Sequence, residues 1–164
     1  MTNEMTNGRD FYQGWERYQD LLIQAIRDLT PEQLAYRTAA HLRSVGENCL
    51  HIIGARARWC YEDLKLGDDA FAALGRWDDD DMPERSAKEL AEGLRASWTV
   101  LWDALGAWTV SDLAYPIPNP DPDPGVPMGY TRQWVIWHLI EHDLHHGGEI
   151  SQAIGTQGLS GLDI

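Results

Sequence analysis

The stretch Trp137-His138-Leu139-Ile140-Glu141-His142-Asp143-Leu144-His145-His146-Gly147-Gly148-Glu149-Ile150 holds four of the chain's six histidines. It lies within a longer segment, Thr131 to Gly155, where Val135, Leu139, Ile150 and Ala153 recur at helical spacing. Side chains four apart on a helix sit one turn apart on one face, with Cβ atoms about 5–6 Å from each other. Two imidazoles so placed can turn nitrogens toward one ion at roughly 2.0–2.1 Å. The spacing occurs twice here, as His138/His142 and His142/His146.

A helical wheel separates the two pairs. At about 100° per residue, with His142 at zero, His146 falls near ~+40°, inside the stripe made by Val135, Leu139, Ile150 and Ala153. His138 and His145 fall on its flank, and Glu149 lies close to the same face. The inward pair is therefore His142 and His146. Neutral imidazoles buried together must find partners for every ring nitrogen, and a metal ion would satisfy one on each ring. Two ligands do not make a site, so another segment has to contribute. His51 and His41 are the candidates. His51 reads as helical, but Val45, Cys49, Ile52, Ile53 and Cys60 point mostly to the other side, which puts it at the rim.

Working outward, three further helices precede this one. The first spans about Asp10 to Asp28, with Phe11, Trp15, Tyr18, Leu22, Ala25, Ile26 and Leu29 in register, and Thr30-Pro31-Glu32 restarts a short turn through Leu34. Ser44-Val45-Gly46-Glu47 and Ser86-Ala87-Lys88-Glu89 are capping boxes that open helices running to about Leu64 and Leu105. A Gly/Asp-rich link covers Gly67 to Pro83. From Tyr115 to Gly129, the prolines at 116, 118, 120, 122, 124 and 127 exclude helix interior and central strand. That link is expected to be extended and long enough to cross from one end of the molecule to the other. With no alternating strand pattern, the expected fold is all-α, a single four-helix-bundle domain over residues 1–164.

The composition agrees. The chain has 164 residues, 43% of them hydrophobic, enough for one buried core. Its net charge of −13 repels phosphate backbones and anionic membranes, so neither nucleic acid nor a membrane surface is an expected partner. The run Asp78-Asp79-Asp80-Asp81 reads as a solvated loop. Cys49 and Cys60, eleven apart, read as reduced and buried, and with no signal peptide or apolar span the expected location is cytoplasmic.

The histidine segment resembles the signature of the DinB-like (damage-inducible B) superfamily, whose last helix carries H-x3-H followed by His/Arg-Gly-Gln-Ile-like residues. Arg43-Ser44-Val45-Gly46-Glu47-Asn48-Cys49-Leu50-His51-Ile52-Ile53-Gly54-Ala55-Arg56-Ala57-Arg58-Trp59 is similar to its helix-two element, where a histidine precedes an apolar pair. The resemblance implies an up-down-down-up bundle, often a homodimer, with a three-histidine divalent metal site. Carried over by position, the ligands are His51, His142 and His146. Where the family often has Arg-Gly after its histidines, this chain has Gly147-Gly148. Asn48 and Glu149 are candidates to orient the ligand rings. His145 is read as an outer partner or a solvent-facing residue, and His138 as structural.

Three neutral imidazoles leave the ion's charge intact and a position open, which is the pattern of a catalytic site. Zinc and nickel are the expected metals. By resemblance, the expected activity is that of a thiol-dependent S-transferase or isomerase in which the metal activates a low-molecular-weight thiol such as bacillithiol, mycothiol or glutathione against a small electrophile. A metal-dependent hydrolase with Glu149 as base, and a non-catalytic metal-binding stress protein, are the alternatives.

Overall fold

Four long helices form where the apolar periodicity and the capping residues place them. The computed structural model describes residues 7–119 and 128–164. Helix α1 (Arg9–Ile26) buries Trp15, Tyr18, Leu22, Ile23 and Ile26 on one face. Helix α2 (Pro31–Leu34) is a single turn opened by Thr30, which accepts from the Gln33 amide. Ser44 caps α3 (Val45–Arg58) and Ser86 caps α5 (Ala87–Ala107), each through a complete capping box. Such caps are worth about 1 kcal/mol apiece. Between them lie α4 (Asp69–Ala72) and a 3₁₀ turn, Ala73–Arg76. After α6 (Val110–Leu113), Thr131 caps the longest helix, α7 (Arg132–Thr156).

The element bounds agree with the periodicity to within a few residues, with one difference. Helix α3 leaves α geometry at Arg58, and its last turn, Trp59–Asp63, widens into a π-helix. The widened turn brings Asp63 to the Tyr130 hydroxyl, which donates to it. No helix among the described residues is long and apolar enough to cross a membrane.

The buried apolar residues form two clusters, and membership along each helix gives its direction. Helix α1 passes from Trp15 in the first cluster to Leu22 and Ile26 in the second; α7 likewise passes from Val135 and Leu139 to Ile150 and Ile154. Helices α3 and α5 run the other way, from Val45 and Ile52 to Ala57 and Cys60, and from Leu90 and Leu94 to Leu101 and Leu105. Because α3 and α5 are parallel, the chain between them must travel the length of the molecule. It does so along α3: Phe71 joins the first cluster, Leu74 touches both, and Trp77 packs on the second.

The proline-rich link therefore does not cross, contrary to expectation. Strand β1 (Pro116–Pro118) pairs antiparallel with β2 (Gly129–Thr131), Ile117 opposite Tyr130, so the two ends of the link meet. The all-α expectation needs this two-stranded sheet as an addition to a mostly helical chain. Proline is compatible with it because each strand is an edge: Pro116 and Pro118 face outward while Ile117 is buried. Arg132 closes the junction, its guanidinium lying over the rings of Trp108 and Tyr115, 4.6 Å from each centroid. The prolines at 120, 122, 124 and 127 lie outside the described residues.

Between the two apolar clusters sits a polar layer that the hydrophobic pattern gives no hint of. Arg56 of α3 and Asp143 of α7 are both fully buried. The Arg56 Nε donates to both Asp143 oxygens at 3.0 and 3.1 Å, and Nη2 reaches Oδ2 at 2.6 Å. The Trp15 indole donates to the same carboxylate at 2.7 Å, and Gln19 accepts from Arg56. Two charges taken out of water this way offset part of their desolvation through these hydrogen bonds, although the Arg56 Nη1 is left without a partner.

Candidate metal centre

The polar layer fixes α3 against α7, and the histidines lie beside it. His51 projects from α3, five residues before Arg56; His142 and His146 flank Asp143 on α7. Their ligand-capable nitrogens all lie within 4.8 Å of one another. The His51 ring centroid is 4.7 Å from that of His142 and 4.8 Å from that of His146, and the latter two are 4.5 Å apart.

Carboxylates fix two of the three rings. Asp78 Oδ2 lies 2.9 Å from His51 Nδ1. Burial pushes the Asp78 carboxyl upward, but hydrogen bonds from His51 and Arg58 outweigh it and hold the group well below the usual carboxylate range. An ionised carboxylate only accepts, so His51 carries its proton on Nδ1 and leaves the Nε2 lone pair free. Glu149 Oε2 stands 2.8 Å from His146 Nδ1 and leaves Nε2 free there in the same way. His142 differs: its Nδ1 is buried without any hydrogen-bond partner.

Burial, reinforced by the neighbouring histidines, pushes the His142 pKa down to about 3. His146 is also lowered, by burial against the opposing pull of Glu149. Both rings are therefore neutral near pH 7, as ligands must be. Three imidazole donors, two with their outer nitrogens anchored and one with a buried nitrogen left unsatisfied, fit a borderline divalent cation.

Asp78 was hidden in the sequence by its three acidic neighbours. Asp79 and Asp81 are solvated as expected, but the Asp78 side chain is only 14% exposed. The crossing link lays it over α3, where Arg58 grips both its oxygens at 2.6 and 3.0 Å. Gly54 makes room, since a Cβ there would collide with Asp78 Oδ1. The one sequence signal was Trp77, an aromatic whose packing on the second cluster holds the residue after it, the first of the run, against α3.

Of the other candidates, Glu149 does orient a ring, whereas Asn48 is buried with its Oδ1 unpartnered and does not. His41 is exposed on the wall of a cavity of about 440 Å³ that His51 and Asp78 also line. His138 stacks on Trp134 at 5.4 Å with 6° between planes, and rests 4.8 Å from Trp59. His145 is 68% exposed. Gly147, in the place where an arginine is common, is required by Tyr18: a Cβ would collide with its hydroxyl.

No curated protein matches the chain. Among solved structures, a DinB-like protein from Bacillus cereus ATCC 10987 is similar at 25% identity and a TM-score of 0.70, over 94% of this chain and 95% of that one. The family model for the DinB family matches residues 1–160, so this mostly helical chain with its three converging histidines belongs to the DinB family.

Proposed function

We propose that this chain is a divalent-metal-dependent enzyme whose ligands are His51, His142 and His146, acting as a thiol-dependent S-transferase or isomerase on a small electrophile. The observation that carries the reading is the convergence of three imidazoles from α3 and α7, with His142 Nδ1 buried and unpaired. A divalent ion held there, zinc or nickel by expectation, would supply Lewis acidity that favours the deprotonated form of a thiol or water.

The chain's own part is to hold the donors. Asp78 and Glu149 keep protons on the outer nitrogens of His51 and His146. The Arg56–Asp143 pair holds α3 and α7 in register. A cavity walled by Arg37, His41, Arg43 and the 77–80 segment lies beside His51 and is lined by neither His142 nor His146. Cys49 and Cys60 are excluded as nucleophiles, since burial pushes both thiols up to about 12. Among the alternatives, a hydrolase would have to use Glu149 as base while its Oε2 is engaged with His146. A non-catalytic metal-binding stress protein differs in having no open position for a thiol.

The same reading takes residues 1–164 as one cytoplasmic four-helix-bundle domain in up-down-down-up order, supported by the helix directions above. It is read as a homodimer, supported by Trp137 and Leu144 exposed on the outer side of α7. Elemental analysis of untagged protein tests the site: about one ion per chain is expected in wild type, and a loss in His51→Ala, His142→Ala and His146→Ala. Wild type that takes up neither zinc nor nickel would overturn the site. With cobalt bound, a spectral shift on adding a thiol supports the transferase reading, and no shift favours the stress protein.

A further inference from the structure

The second face of Glu149 carries a separate observation. Its Oε2 is committed to His146 Nδ1, but its Oε1 lies 3.6 Å from His145 Nε2. That separation is too long for a hydrogen bond. Two donors bound at roughly 2.0–2.1 Å with tetrahedral angles would themselves be about 3.4 Å apart. His145 and Glu149 are four residues apart on α7, one turn along the same face, and His145 is mostly exposed. His145, His146 and Glu149 bring ligand-capable atoms within 4.8 Å of one another, and with His146 committed to the triad, His145 and Glu149 remain as the donors here. Glu141 stands one turn before His145 on the same face and is also exposed.

We infer that His145 and Glu149 form a second, surface site for a borderline divalent cation such as zinc, weaker than the triad and joined to it through one carboxylate. Oε1 faces this ion while Oε2 keeps the His146 proton in place, so His146 is not shared as a ligand. Two protein donors with the remaining positions left to water make a rapidly exchanging site. The acidic excess of the chain raises the local cation concentration around it. Nitrogen in the donor set selects zinc, copper or nickel over calcium and magnesium.

The test is calorimetric titration of the metal-free, untagged full chain with zinc, comparing wild type, His145→Ala and His142→Ala. Wild type should show a tight and a weaker class. His145→Ala should lose the weaker class, or weaken it at least about tenfold, and keep the tight one; as an exposed residue, its removal leaves folding intact. His142→Ala should lose the tight class and keep the weaker. A weaker class untouched by His145→Ala, or absent from wild type, overturns the inference. Absence of the tight class alone counts against the triad while leaving the surface site standing.

Discussion

Removing the Asp143 carboxylate should be among the most damaging single changes this chain can suffer. The group accepts from the Trp15 indole and from two nitrogens of Arg56, and no water reaches it. Asp143→Ala leaves the Arg56 charge buried without its counter-ion, a change that costs about 3–5 kcal/mol in such settings. For a domain of this size each kcal/mol moves Tm by roughly 2–4 °C, so the expected fall is about 6–20 °C. Arg56→Met should cost a similar amount by stranding the carboxylate. The double variant Arg56→Met/Asp143→Leu, which removes both charges while filling the space, should recover most of the loss. Thermal unfolding of wild type, Arg56→Met, Asp143→Leu and the double variant, all metal-free, closes the cycle, with Asp143→Ala as the separate truncation. Single variants that lose less than about 1 kcal/mol, or a double variant as unstable as the sum of the singles, would refute the account of this layer as a mutually dependent buried pair. If the layer also serves to align α3 with α7, the double variant should still bind one ion per chain.

Three further outcomes follow from the same geometry. Asp78→Asn, which replaces the acceptor that holds the His51 proton, should weaken zinc binding about 10–100-fold in a chelator-competition titration; unchanged affinity would remove Asp78 from the site. Because the His142 and His146 pKa values are lowered on folding, the unfolded chain takes up more protons between about pH 6.5 and the folded values. Stability of the metal-free protein should therefore fall with pH through that window, by at most about 1.4 kcal/mol per pH unit for each ring. Asp78 does not confuse the result, since its lowered pKa gives stability that is lost only below the ordinary carboxylate range. Urea midpoints at pH 7.5, 6 and 5 read the slope, and His142→Leu should flatten it. Gly147→Ala should cost about 1–3 kcal/mol by forcing Tyr18 aside, with a smaller cost in a Tyr18→Ala background.

How much of this was legible in the residues depended on whether the cause was local. Capping boxes and apolar stripes act within a few residues, and they located α1, α3, α5 and α7 and turned His142 and His146 inward. His51 was harder, because its rim position on α3 becomes a site only when α7 lies alongside. The path of the chain between the helices was not legible at all. Prolines made residues 115–129 look like the long crossing, yet proline restricts geometry without saying where a segment goes, and the ends of that link come back to one another as β1 and β2. Once α3 and α5 are parallel, the crossing falls to residues 64–86, and that alone singles out Asp78 from four consecutive aspartates. The crossing enters at Phe71, beside the C-terminal end of α3, and runs back along the helix. It reaches the level of His51 at Trp77, where a large ring must be buried. The residue after Trp77 is then held against α3, where Gly54 leaves room and Arg58 supplies the charge. The acidic run is thus a solvated loop in three of its members, while Asp78 is held against His51 and Arg58, a division made by topology rather than by anything in the run itself.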